Sequence, residues 1–208
     1  MEDMMATTAK QRLPDRDEDG KFVADDDRGL PNFKVLAGAV AGGAALGIMA
    51  MLGRKAAVQA PTLLAGDWDE ALAAEHSAVL KIFDALEATD ERNTTKRTVL
   101  LTQLKHALMK HAVEEENVIY AKLADSDEAS AHRLNEEHGD VKRYLFQLEN
   151  TPRESGQWIA TVRQFRADIE KHMKEEEQHL FPALKARLSD EENRKLRSAM
   201  NREGFKVA

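Results

Sequence analysis

Two stretches of this chain repeat one another, and the repeat limits the fold more than any other feature. Glu75-His76 opens EHSAVLKIFDALE, and Glu137-His138 opens EHGDVKRYLFQLE 62 residues later. Lys110-His111 opens KHAVEEENVIYAKL, and Lys171-His172 opens KHMKEEEQHLFPAL 61 residues later. A matched pair of offsets, each with a histidine in register, predicts a duplicated helical hairpin. Two such hairpins are related by an approximate two-fold axis, and a site on that axis receives one set of groups from each.

The apolar residues follow the helical period. Leu72, His76, Val79, Phe83 and Leu86 form one stripe, and Leu101, Leu104, Leu108, His111, Glu115 and Val118 a second. Leu134, His138, Val141, Leu145 and Leu148 form a third, and Val162, Phe165, Ile169, His172, Glu176 and Leu180 a fourth. Steps of three and four place each set on one helix face. The predicted helices run near 67–88, 94–124, 127–149 and 156–187, with Asp67 and Ser126 as caps of the first and third. Pro182 must kink or interrupt the fourth. A short fifth helix follows Ser189, which has capping-box spacing to Glu192. Connections this short force antiparallel neighbours. The expected fold is therefore all-α: an up-down-up-down four-helix bundle at residues 67–208 with a short C-terminal helix.

Histidine and glutamate on a core stripe need an explanation. A buried carboxylate costs several kcal/mol unless paired, and no lysine or arginine on these stripes neutralises Glu115 or Glu176. A lone core histidine is ordinarily just a satisfied polar group. Two His-xxx-Glu pairs and two single histidines, all facing one core, point instead to metal ligands. The set is His76, His111, Glu115, His138, His172 and Glu176. Imidazole and carboxylate suit iron, zinc or manganese. Six donors are few for two ions unless the carboxylates bridge. Glu114 and Glu175, one turn from their histidines, could substitute for Glu115 and Glu176. Glu116 and Glu177 are expected to face solvent. His106 is expected at the surface or beside the site, and His132 at the surface. His179, two turns beyond His172 on the same stripe, could line the pocket or bind a metal.

The ordered pattern of a single His, His-xxx-Glu, a single His and His-xxx-Glu on four successive helices resembles the hemerythrin-like (HHE cation-binding) family over residues 67–187. That resemblance implies two iron ions, oxo- or hydroxo-bridged. It implies that His76 and His111 serve one iron, that His138 and His172 serve the other, and that Glu115 and Glu176 bridge. Oxygen carriers of the family have a His-xxx-His pair on the third helix, where this chain has Leu134 and Lys142 flanking His138. The four-histidine set looks more like members proposed to repair iron centres, which carry an additional cysteine-bearing module. The implied function is a non-haem di-iron protein that binds or senses oxygen, nitric oxide or reactive oxygen species in a redox or general stress response. Its partner is then a small diatomic ligand or peroxide. A di-iron peroxidase-type enzyme and an iron donor or repair protein are the competing functions. No residue is assigned a catalytic role, because the stripes offer no proton donor.

The remaining sequence bounds the context. A net charge of −7 without a basic stripe excludes a nucleic-acid surface. With no cysteine, thiolate metal sites and cysteine nucleophiles are excluded. Residues 1–33 carry mixed charge without apolar period and read as a disordered tail. Residues 34–55 contain the uncharged run VLAGAVAGGAALGIMAML at 35–52. As a helix this run spans about 27 Å, close to a bilayer core of about 30 Å. Gly38 with Gly42, and Gly43 with Gly47, have the spacing of close helix packing in lipid. The expectation is inner-membrane anchoring or self-association through residues 35–52, with the bundle in an unassigned compartment. A cytoplasmic location is the alternative. Residues 56–66 are read as a linker.

Overall fold

The computed structural model describes residues 66–207. The charged tail, the apolar run at 35–52 and nearly all of the linker lie outside the described residues. All regular structure within 66–207 is helical. α1 spans Trp68–Glu87, α2 Thr94–Glu114, α3 Tyr120–Ala124, α4 Glu128–Asn150, α5 Gly156–Glu175, α6 Phe181–Arg187 and α7 Asp190–Val207. Two π-helical turns, π1 at Glu115–Ile119 and π2 at Glu176–Leu180, join α2 to α3 and α5 to α6 without a break. These correspond to the predicted second and fourth helices. The four rods form the expected bundle, each packing on its chain neighbours, with α1 also against α5.

Local chemistry sets the ends. The backbone N–H of Asp67 donates to Glu70 Oε2 at 3.0 Å, tying off the start of α1. The cap of α4 is Asp127 rather than Ser126: its carboxylate accepts from the Ser130 N–H at 3.1 Å, while the Ser126 hydroxyl donates back to the Leu123 carbonyl. Ser155 caps α5 through the Trp158 N–H at 3.2 Å. The Ser189–Glu192 capping box forms as expected, with Ser189 N–H to Glu192 Oε2 at 2.9 Å. The C-terminal helix is not short, because α7 has 18 residues. Its Leu196 and Met200 bury against Trp68, Leu72 and Ile119, and Asn193 accepts from the Trp68 indole at 2.8 Å. That apolar face keeps α7 in register against the bundle well past its first turns.

The core is divided. One apolar cluster, built on Phe83, Leu104, Leu148, Trp158, Val162 and Phe165, fills the end of the bundle nearest the α1–α2 and α4–α5 connections. Another, built on Trp68, Ile119, Leu134, Phe181 and Met200, fills the opposite end. Between them lie His76, His111, Glu114, Glu115, His138, His172 and Glu176, all buried. Apolar layers above and below exclude water from this polar band, so its members must satisfy one another or a guest.

Among the described residues, no helix is long and apolar enough to cross a membrane.

Candidate metal centre

The structure brings together all six residues singled out in the sequence. His76 comes from α1, His111 from α2, His138 from α4 and His172 from α5, while Glu115 and Glu176 open π1 and π2. His76 Nε2 and His111 Nε2 face one another at 2.9 Å. Glu115 Oε2 lies 3.0 Å from His111 Nε2 and 3.3 Å from His138 Nε2. Glu176 Oε2 lies 3.3 Å from His172 Nε2 and 3.5 Å from His76 Nε2. Each carboxylate thus reaches from one histidine pair to the other. Donor atoms of His76, His111, Glu115 and Glu176 lie close enough together to share an ion, and so do those of Glu115, His138 and His172.

Every histidine in the centre is turned by a carboxylate behind it. His76 Nδ1 donates to Glu177 Oε1 at 2.7 Å, and His111 Nδ1 to Glu75 Oε2 at 3.1 Å. His138 Nδ1 donates to Glu116 Oε1 at 3.1 Å, and His172 Nδ1 to Glu137 Oε2 at 2.6 Å. A carboxylate only accepts, so each Nδ1 carries a proton and each Nε2 is turned inward, where a cation can replace any proton held there. The arrangement obeys the repeat. Glu75 and Glu137 precede the histidines of α1 and α4 and hold those of α2 and α5. Glu116 and Glu177, from the EEE runs, hold those of α4 and α1. Glu177 is exposed, as expected, and Glu116 is half-buried, but both carboxylates also reach across to a histidine on a neighbouring helix, which the expectation of a purely solvent-facing role did not include.

Glu114, Glu175 and the three remaining histidines fall outside the centre. Glu114 is buried but pairs with Lys110 at 2.8 Å, on the Nδ1 side of His111. Glu175 pairs with Arg133 at 2.6 Å. His106, His132 and His179 are exposed.

One residue of the centre was missed. The Tyr120 hydroxyl lies 3.1 Å from Glu115 Oε2, 3.1 Å from His138 Nε2 and 3.3 Å from His172 Nε2, and it donates to Glu176 Oε1. In an unbroken α-helix, Tyr120 would point about 180° away from His111. The π-turn changes that. Tyr120 N–H bonds to the Glu115 carbonyl, an i→i+5 closure, so the extra residue swings Tyr120 back onto the face of Glu115. The second turn repeats the closure from Phe181 N–H to the Glu176 carbonyl.

The charge balance of the centre is unusual. Burial alone pulls the His111 imidazole down, but the Glu115 charge and hydrogen bonds to Glu115 and Glu75 hold it well above the ordinary histidine value. Burial, and then the His111 charge beside it, push His76 down. Burial would raise Glu115, yet His111 and His138 hold it well below the carboxylate range. Burial and the Glu115 charge push Glu176 well up. Burial and both carboxylates also keep Tyr120 protonated. Protons on His111 and Glu176 thus neutralise a centre rich in lone pairs. Even so, Glu115 Oε1 and Glu176 Oε2 are buried without a hydrogen-bond partner. Such orphaned oxygens among converging imidazole nitrogens fit a bound cation, which would take the place of those protons.

The fold and centre define a class: an antiparallel helical bundle built round a buried histidine–carboxylate cluster. Residues 69–184 match the model of the hemerythrin HHE cation binding domain, with an overlapping match at 129–203. The chain belongs to this family of cation-binding helical proteins. It is also similar to an uncharacterized hemerythrin-like protein of Schizosaccharomyces pombe, with 26% identity over 137 residues. That similarity covers 64% of this chain and 66% of the relative, so the chain spans slightly under two thirds of the relative's length. No solved structure matches.

Proposed function

We propose that this protein holds two iron ions and uses them to bind or sense oxygen, nitric oxide or reactive oxygen species in a redox or stress response. His76 and His111 hold one ion, His138 and His172 the other, and Glu115 and Glu176 span both. The observation that carries the reading is the convergence of four Nε2 atoms on two carboxylates, each Nδ1 being engaged by its own glutamate. Imidazole and carboxylate donors of this kind suit first-row metals, and the family favours iron. Bound iron supplies reversible binding of small diatomic molecules and one-electron chemistry. The chain supplies a water-poor chamber between two apolar layers, fixed imidazole orientation, and a phenolic proton at Tyr120 Oη.

That proton supports a second reading, a peroxidase-type enzyme. The helical stripes offered no proton donor, and Tyr120 provides one beside both carboxylates. Metal analysis of protein purified from iron-replete cells tests the first claim. About two irons per chain are expected on the two-metal reading of a carboxylate-spanned bundle site, and stoichiometric zinc without iron refutes it. Mixing the iron form with nitric oxide, oxygen or peroxide then separates the functions. A sensor gives a stable spectral change without turnover. An enzyme consumes peroxide and loses that activity in Tyr120→Phe.

A further inference from the structure

The two halves of the bundle repeat, but they do not close the centre equally. A cavity of about 280 Å³ opens between α4 and α5. Its walls include Val141, Tyr144, Phe165 and Ile169, and of the six centre residues it reaches His172. In the first half the equivalent of Ile169 is Leu108, and the equivalent of His172 is His111. There Lys110 lies inside, only 5% exposed, with Nζ 2.5 Å from Glu75 and 2.8 Å from Glu114. This ion cluster covers the outer side of His111.

Lys171 is the repeat partner of Lys110, and it is exposed. The cause lies one helix away. Glu137 and Glu175, partners of Glu75 and Glu114, are both bound by Arg133, at 2.9 Å and 2.6 Å. The position of Arg133 in the first half is held by Ala71, which cannot compete for the carboxylates. A guanidinium binds two carboxylates in a fixed fork at the surface. The Arg133 guanidinium thus takes the place between Glu137 and Glu175 that Lys110 Nζ takes between Glu75 and Glu114, and Lys171, left without these partners, lines the cavity from an exposed position.

We propose that the α4–α5 cavity is a one-sided entrance through which small uncharged molecules reach the centre at His172, and that Arg133 holds it open. The inference rests on the reading of the centre as a metal site, since a ligand arriving there meets the His138–His172 ion and not its neighbour. The walls suit a neutral guest: Val141, Tyr144, Phe165 and Ile169 supply apolar surface beside His172, and the charged lining residues are mostly paired. The charges around the mouth largely offset one another. Glu137 and Glu175 pair with Arg133, Asp140 pairs with Arg143, Asp168 accepts from Tyr144, and Lys171 stands at the rim.

Dissolved oxygen, itself small, neutral and paramagnetic, is the probe. Its effect on proton relaxation is measured by NMR in the full-length, zinc-loaded protein. Ile169 and Leu108 are almost equally buried, at 4% and 2% exposed, so exposure alone predicts equal effects. The entrance predicts enhancement several-fold greater at Ile169 than at Leu108, and greater at the His172 ring than at His111. In Arg133→Ala, Lys171 is freed to take the position of its partner, and the enhancement at Ile169 falls to that of Leu108. Equal enhancement in the unaltered protein overturns the entrance. An unchanged difference in Arg133→Ala overturns the role of Arg133. The relaxation pattern can be read in metal-free protein too, so failure to bind zinc counts against the metal reading and not against the entrance.

Discussion

Tyr120 and Phe181 occupy the same place in the two halves of the bundle, each the first residue after a π-turn, and they differ by one oxygen. Phe181 packs edge-on against Trp68, with ring centroids 5.4 Å apart. Tyr120 sends its hydroxyl into the centre, among Glu115, Glu176, His138 and His172. A single atom therefore breaks the two-fold symmetry of the site.

Replacing Tyr120 with Phe removes that atom while keeping the ring. In metal-free protein the change strips a buried donor from Glu176 and costs about 1–3 kcal/mol. Thermal unfolding should show a drop of several degrees without metal. With metal bound, the ions neutralise the carboxylates and the drop should shrink. An equal loss in both forms would mean that the hydroxyl serves packing alone.

The four carboxylates behind the histidines should matter for affinity. Glu75→Gln, Glu116→Ala, Glu137→Gln and Glu177→Ala each remove the partner that orients one imidazole. Losses of about 10–100-fold in metal affinity are expected. Glu136→Ala, altering an exposed glutamate on α4, should leave affinity unchanged. Competition against a chelator measures both, and unaltered affinity in Glu116→Ala and Glu177→Ala would remove these two from the centre.

Glu115 and Glu176 span both histidine pairs, so losing either should cost more than one metal ion per chain. His76→Ala or His138→Ala should weaken mainly one ion. Ligand loss also removes metal-linked folding energy, so circular dichroism must first show intact helices. Metal analysis of folded Glu115→Ala that still finds two ions would sink the bridging assignment.

Acid should act on the metal-free protein through Glu75 and Glu137. Burial raises Glu75, but its hydrogen bond to His111 and the nearby cations take it down to about 2. The hydrogen bond from His172 likewise brings Glu137 to about 2. Both values are depressed from 4.5, so the stability they contribute is present above about pH 4.5. It is lost as pH falls through that value toward 2. Denaturant titrations across this window should show falling stability, and Glu75→Gln with Glu137→Gln should flatten the dependence.

Single-helix periodicity carried the sequence reading a long way. The stripes through His76, His111, His138 and His172 gave four rods, their antiparallel order and the six inward groups, because an α-helix repeats its face every three or four residues. The same rule hid Tyr120, which sits on the far face unless a π-turn intervenes. It also missed the contacts of Glu116 and Glu177 with the centre. Counted along their own helices they point about 140° from His111 and His172, but their partners, His138 and His76, belong to other helices. Spacing within one helix does not register such contacts. A usable clue was present: the EEE runs and the Tyr120/Phe181 pair recur at one offset, which marks both carboxylate runs as parts of the repeated site. The cap of α4 slipped by one residue because Ser126 and Asp127 are both good acceptors. The length of α7 depended on its packing against α1 and π1, which local sequence does not reveal.

Iron-edge anomalous diffraction from crystals of the purified protein tests the central claim most directly. Two peaks per chain are predicted, roughly 3–4 Å apart as in carboxylate-spanned metal pairs. One should lie against His76 Nε2 and His111 Nε2 and the other against His138 Nε2 and His172 Nε2, with Glu115 and Glu176 reaching both. A single peak, or iron bound away from these six side chains, would contradict the account.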